Sequence, residues 1–298
     1  MRFFALFALL FSLASPLVVW ADAPLKVAVS IPPQKYFVDM IGGKHVQVDV
    51  LVPPTAEPET YEPSPRQLVA LSQAALYLKI GIPIENAWLT RFTSVNPNFL
   101  VVDTARGIQR VDMSRHVGVP TSETGMDPHI WLSPVLVRIQ AINIRDALIQ
   151  ADPAHAADYR LGYEKLALKI NQVDSDILHA LTGAHLTQTR FIVFHPAFGY
   201  FADAYGLTQV PIEAEGKEAG PKQMSTVINY AKAHHIKVVF IEPQFAQKAA
   251  RTIASEIGGQ VAVIDPLQEN WPAGMEAIAT ALSKVLGTVQ HAPASSSP

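Results

Sequence analysis

The chain has 298 residues, with 23 Lys and Arg against 26 Asp and Glu, 10 His and no Cys. At about 150 residues per domain, that length favours two lobes, each able to bury a core of its own. A net charge of −3 gives no basic field for nucleic acid, and the lack of Cys excludes disulfide scaffolds, Cys-based zinc modules, iron–sulfur clusters, thiol catalysis and a lipid-bearing cysteine.

Residues Met1–Ala23 (MRFFALFALLFSLASPLVVWADA) carry one Arg, an apolar run to Trp20, and small residues at Ala21 and Ala23. A membrane span needs about 20 apolar residues, and Pro16 interrupts this run. The segment therefore predicts a cleaved secretory signal, cut after Ala21 or Ala23. No later stretch reaches the length of a membrane span. A soluble chain in a bacterial periplasm is expected.

Short apolar runs rich in Val and Ile follow at Leu25–Ser30, Val46–Val52, Leu76–Gly81 and Phe99–Thr104, and again at Arg190–His195, Leu207–Glu213, Ile236–Glu242 and Gln260–Pro266. They are continuous, not alternating, and helical patterns separate them. That is the signature of parallel sheets covered on both faces. The helical patterns include Pro65–Gln73, Ile84–Phe92, Pro134–Gln150, Pro221–His234, Gln247–Ile257 and Pro272–Leu286, and a proline suits the first turn of a helix.

Between the two sets of strands, apolar residues recur at Tyr159, Tyr163, Leu166, Ile170, Val173, Ile177 and Leu181. The steps of three and four define one amphipathic helix. It opens at Asp152-Pro153 and stops before Gly183. Its 30 residues span roughly 45 Å, a spine and not a flexible linker. The expected fold is α/β: two lobes, each a roughly four-stranded, mainly parallel sheet with flanking helices, joined by one long rigid helix. The boundaries are a signal peptide at 1–23, an N-terminal lobe at 24–151, the connecting helix at 152–182, a C-terminal lobe at 183–287 and a disordered tail at 288–298.

Several motifs are missing. Gly216-Lys217 lacks the upstream Gly of a phosphate-binding loop, no G-x-G-x-x-G follows the first strand, and neither H-E-x-x-H nor G-x-S-x-G occurs. What stands out instead are ligand-type residues just beyond the carboxyl ends of strands, where open α/β sheets bind their ligands. These are Glu57, Glu59 and Glu62 after the second strand, Asp127 and His129 in GMDPHIWLS, His195 in RFIVFHPAFGYF, and Asp265 in QVAVIDPL. Two groups precede the spine and two follow it, so a cleft between the lobes could gather all four. His45, His155, His179, His234 and His235 fall on ordinary helix or turn surfaces.

The ordered segments PLKVAVSIPPQKYFVDMIGG (24–43), TYEPSPRQL (60–68), DPHIWLSP (127–134), FHPAFGYFADAYGL (194–207), EAEGKEAGPKQM (213–224), FIEPQF (240–245) and VIDPL (263–267) resemble the cluster A-I solute-binding proteins of ABC transporters, the ZnuA/TroA-type metal receptors. The resemblance implies two α/β lobes on a rigid helix with one metal in the cleft. It also implies His129 and His195 as imidazole ligands and Asp265 as a carboxylate ligand. At the fourth position the family pattern P-H-x-Y-E-P is replaced by Pro58-Glu59-Thr60-Tyr61-Glu62-Pro63, so Glu59 stands where a histidine is expected. Only HVGVPTSETG separates His116 from Met126, so the long His-rich acidic loop of some zinc receptors is absent.

Two carboxylates and two imidazoles balance a divalent cation and suit tetrahedral zinc, while the added oxygen makes Mn(II) or Fe(II) more acceptable. Zn(II) is the expected transported ion because affinity for a given donor set favours it. The expected partner is an inner-membrane ABC permease with its ATPase; nucleic acid is not, and the protein is expected to be a monomer without a lipid anchor or enzymatic activity. Two other readings fit the residues less well. A metal-dependent hydrolase would use Glu59 as general base, and a surface adhesin would lack a cysteine to hold it.

Overall fold

The computed structural model describes residues 23–96, 99–116, 125–213 and 219–287. The leader reading over residues 1–22, the tail reading over 288–298, most of the short loop after His116, and Gly216-Lys217 lie outside the described residues.

Among the described residues, eight strands form two four-stranded sheets. The first holds β1 (Leu25–Val29), β2 (Val46–Val50), β3 (Leu76–Lys79) and β4 (Leu100–Asp103) in the order β2-β1-β3-β4; the second holds β5 (Arg190–Val193), β6 (Thr208–Pro211), β7 (Val238–Ile241) and β8 (Gln260–Val263) in the order β6-β5-β7-β8. Every pairing is parallel, with Val29 opposite both Val50 and Leu78, and Val193 opposite both Pro211 and Phe240. The inner strands are buried on both faces, which is why they read as continuous apolar runs.

Each strand stops one to three residues short of the apolar run that predicts it. The trailing residues, among them His195, Glu213, Glu242 and Asp265, leave the ladder at its carboxyl end. That is the edge at which parallel sheets hold ligands.

Nine α-helices lie among the described residues: α1 (Pro32–Gly42), α2 (Pro65–Leu71), α3 (Pro83–Val95), α4 (Pro134–Ala151), α5 (Ala156–Gly183), α6 (Gly199–Tyr205), α7 (Pro221–Ala233), α8 (Lys248–Glu256) and α9 (Trp271–Leu286). The sequence patterns do not single out α1, because Pro32-Pro33 reads as a turn. Here both prolines occupy the first helical positions, where a missing N–H costs nothing. Gln34 then anchors the helix: its Oε1 accepts the N–H groups of Ser30 (3.0 Å) and Ile31 (3.2 Å), and its Nε2 donates to the Leu78 carbonyl (2.9 Å).

Helix α5 is the spine, entered through a 3-10 turn at Pro153–His155. Its buried face is Tyr159, Gly162, Leu166, Ile170, Val173, Ile177 and Leu181. Gly162 therefore takes a core position that the periodicity does not mark, while Tyr163 is only partly buried and lies 4.6 Å under the Arg145 guanidinium. α5 packs against α1 and α4 on one side and α9 on the other. One apolar core runs from Val27 of β1 through the buried face of α5 to Leu286 of α9. Two tryptophans interlock where the lobes meet. Trp131 Nε1 donates to the Pro266 carbonyl and Trp271 Nε1 to the Trp131 carbonyl, both at 2.8 Å, and Phe37 packs edge-on against Trp271. No described helix is long and apolar enough to cross a membrane.

Candidate metal centre

Glu59, His129 and His195 each offer a donor atom, and the three atoms lie within 4.8 Å of one another. His129 Nε2 and His195 Nε2 are 3.0 Å apart, and Glu59 Oε1 is 3.8 Å from His195 Nε2. Two nitrogens at zinc–nitrogen distance on a tetrahedral ion stand about 3.3 Å apart, so a few tenths of an ångström of movement would admit one. The imidazoles are buried, at 4% and 5% exposure. The Glu59 side chain is 20% exposed, the most accessible of the three.

Each donor is aimed by its surroundings. Glu59 sits on the loop after β2, where the Glu57 carboxylate accepts the N–H groups of Glu59 (2.6 Å) and Thr60 (2.8 Å) and so folds the turn. Tyr61 donates to Gln67 Oε1, and Gln67 Nε2 ties that loop back to the Leu51 carbonyl. His129 precedes a short 3-10 turn (Ile130–Leu132). Its ring Nδ1 and its backbone N–H both meet Asp127 Oδ1, at 2.8 and 2.9 Å, so Nε2 is left for the cleft. Asp127 thus orients a donor. Glu57 and Glu62, the other carboxylates of the loop, do not belong to the group of three.

His195 follows β5, the central strand at the point where the chain order of the sheet diverges. Carboxylates from both neighbouring strands flank it: Glu213 beyond β6 bonds to its Nδ1, and Glu242 beyond β7 accepts its backbone N–H at 3.4 Å. Burial pulls the imidazole pKa down, but the bond to Glu213 and the charges of Glu59, Glu213 and Glu242 outweigh it and raise the value to about 10. The site favours positive charge at Nε2. Burial pushes Glu242 up to about 8, against the charge of His195, and Glu242 Oε1 makes no hydrogen bond among the described residues. Phe245 stacks on the His195 ring and Trp131 flanks His129, which locks both rings and excludes water.

Asp265, the fourth expected donor, does not belong to the group of three. Its Oδ1 accepts the Leu267 N–H at 2.9 Å and a bond from Gln244 Nε2 at 3.1 Å. Sequence reasoning also passes over Glu213 and Glu242. Both end apolar runs already read as strands, so the rule that picks out His195 and Asp265 reaches them too. His45 and His155, left aside in the sequence, stack on one another at 3.8 Å beside the start of the spine, bonded to Asp158 and Asp152.

Two parallel α/β lobes on a shared helical spine, with imidazoles and a carboxylate converging between them, define a two-lobed metal-binding protein of the solute-receptor class. Residues 27–285 match the family of the zinc-uptake complex component A, ZnuA, described as periplasmic, and the chain belongs to that family. It is 30% identical over 253 residues to the high-affinity zinc uptake system protein ZnuA of Bacillus subtilis, covering 82% of this chain and 79% of that one. It is 33% identical over 223 residues to the iron-binding protein YfeA of Yersinia pestis, covering 74% and 70%. Zinc-binding AdcA proteins of Streptococcus pyogenes are 29% identical, and the chain spans about half of their length (52%). A crystal structure of ZnuA superposes with a TM-score of 0.82 at 38% identity, over 89% of this chain and all of that one. The ZnuA relatives serve zinc uptake, AdcA binds zinc and YfeA binds iron, and by its family the chain is a binding protein, not an enzyme.

Proposed function

We propose that this protein captures one divalent metal ion, Zn(II) before others, between its lobes in the periplasm and hands it to an inner-membrane ABC permease and its ATPase. Glu59, His129 and His195 are the donors. The observation that carries this reading is the pair of buried Nε2 atoms 3.0 Å apart with the Glu59 carboxylate beside them. Each imidazole has its other nitrogen bonded to a carboxylate, an arrangement that fixes the tautomer and raises ligand basicity. Residues 1–23 direct export and are removed, the chain has no Cys to carry a lipid, and the mature protein acts as a monomer. The test is calorimetry of the mature protein with Zn(II): one ion binds with sub-micromolar affinity, and His195→Ala weakens it at least a hundredfold, on the order of the loss of a metal ligand. Absence of binding to the intact protein would overturn the reading.

A second reading within the same class is a receptor for Mn(II) or Fe(II). The carboxylate at position 59 favours it, since oxygen donors suit those ions, and so does the likeness to iron-binding YfeA. Metal analysis of protein purified without added metal separates the two.

A further inference from the structure

Gln244 lies on the loop after β7 and lines the same cleft as Glu59, His129 and His195. Its Nε2 donates twice: to the Pro54 carbonyl in the opposite lobe at 2.8 Å, and to Asp265 Oδ1 at 3.1 Å. Pro54 opens the loop that carries Glu59. One amide therefore ties together the two carboxylate-bearing loops on either side of the cleft. Its orientation is determined, because an inverted amide would point oxygen at two oxygens. Its Oε1 is buried and makes no hydrogen bond among the described residues. The same Asp265 oxygen also takes the Leu267 N–H, so Oδ1 is held by two donors, and Asp265 stands outside the group formed by Glu59, His129 and His195.

We infer that Gln244 is a positioning residue that holds Asp265 away from the metal, so that the ion meets three protein donors, and that position 244 thereby sets the preference between zinc and the oxygen-favouring ions. The inference rests on the donor set proposed above. The physical reason is the different demand of the ions. Zinc is content with four donors in a tetrahedron, and three protein groups with a water supply them. Mn(II) and Fe(II) rank lower in affinity and gain more from added carboxylate oxygen. With Asp265 withheld, Glu59 is the single carboxylate on the ion; with Asp265 released, a second oxygen donor enters.

The experiment is a double-mutant cycle on the mature protein, with Gln244→Ala, Asp265→Asn and the double variant each titrated with Zn(II) and Mn(II) against a chromophoric chelator. Asp265→Asn keeps the acceptor oxygen and leaves zinc affinity within about threefold of wild type, the precision to which such cycles resolve coupling. Gln244→Ala raises the Mn(II)-to-Zn(II) affinity ratio about tenfold, and the double variant loses that gain. Should Gln244→Ala fail to fold, Gln244→Met fills similar space without the hydrogen bonds and reads the same ratio. The inference is overturned if Asp265→Asn alone lowers zinc affinity tenfold or more, which would make Asp265 a ligand already, or if the ratio is unchanged in both position-244 variants. Failure of the wild type to bind zinc would instead overturn the donor set itself, and this inference with it.

Discussion

The Glu213 carboxylate bonds to Nδ1 of His195 and leaves Nε2 of the same ring facing His129 Nε2 at 3.0 Å. Glu213 is 2% exposed and comes from the strand beside the one that carries His195. Its position in the sheet therefore determines which imidazole nitrogen meets the cleft. Replacing Glu213 by Gln keeps the shape and removes the charge. Zinc affinity is expected to fall about 10- to 100-fold, the usual effect of removing a ligand's orienting partner, with the circular dichroism spectrum unchanged. Chelator competition on the purified variant measures it.

The high pKa of His195 makes binding a contest with a proton. Its folded value of about 10 lies above the ordinary 6.5, so at neutral pH Nε2 must give up a proton before it can hold a metal. Apparent zinc affinity is expected to rise about tenfold per pH unit over pH 7–9, and calorimetry in buffers of different ionisation enthalpy should detect a released proton. The metal-free protein should respond in the opposite sense. A group whose pKa is raised on folding stabilises the fold below its unfolded value and loses that contribution as pH rises through its folded value. The windows run from 6.5 to about 10 for His195 and from 4.5 to about 8 for Glu242. The melting temperature of the metal-free form should therefore fall between pH 7 and 10, and added zinc should reverse the trend.

Position 59 tests the donor set from the other lobe. Glu59→His restores a third imidazole beside His129 and His195. The zinc-to-manganese ratio retained on purification without added metal should rise, since nitrogen donors favour zinc more than manganese. An unchanged ratio would remove Glu59 from the donor set.

Gly162 tests the packing of the spine. A methyl group there would lie 2.2 Å from the Ile41 carbonyl oxygen of α1. Alanine improves helix propensity by about 1 kcal/mol, but forcing two packed backbones apart costs about 1–3 kcal/mol or more. Gly162→Ala should therefore lower stability in a urea titration, although the same exchange on an exposed helix face would raise it.

The architecture is largely legible in the chain because its inner strands are buried, and eight short apolar runs mark the eight described strands. The three proposed donors stand out as ligand-type side chains in loops, and the family resemblance is what singles them out. A buried ionisable residue at the end of an apolar run, as with His195, needs a polar partner there, and Glu213 and Glu242 supply one. What escapes is set by contacts distant in the sequence. Gly162 becomes a core residue only because α1 approaches it, and α1 is concealed by Pro32-Pro33. The bond of Asp265 to Gln244, across 21 residues, depends on how two loops meet. No local pattern encodes that meeting.

The interlocked Trp131 and Trp271 rings bear on how the protein chooses among ions. A hinge needs a boundary that few contacts cross, whereas here one apolar core passes through the spine into both lobes and the two indoles bond across it. The walls of the cleft are therefore at a set separation, and the donor loops must absorb any difference in ionic radius. For the proposed site, adjustment to an ion then falls to the turn at Glu57–Thr60 that carries Glu59, and not to closure of the lobes.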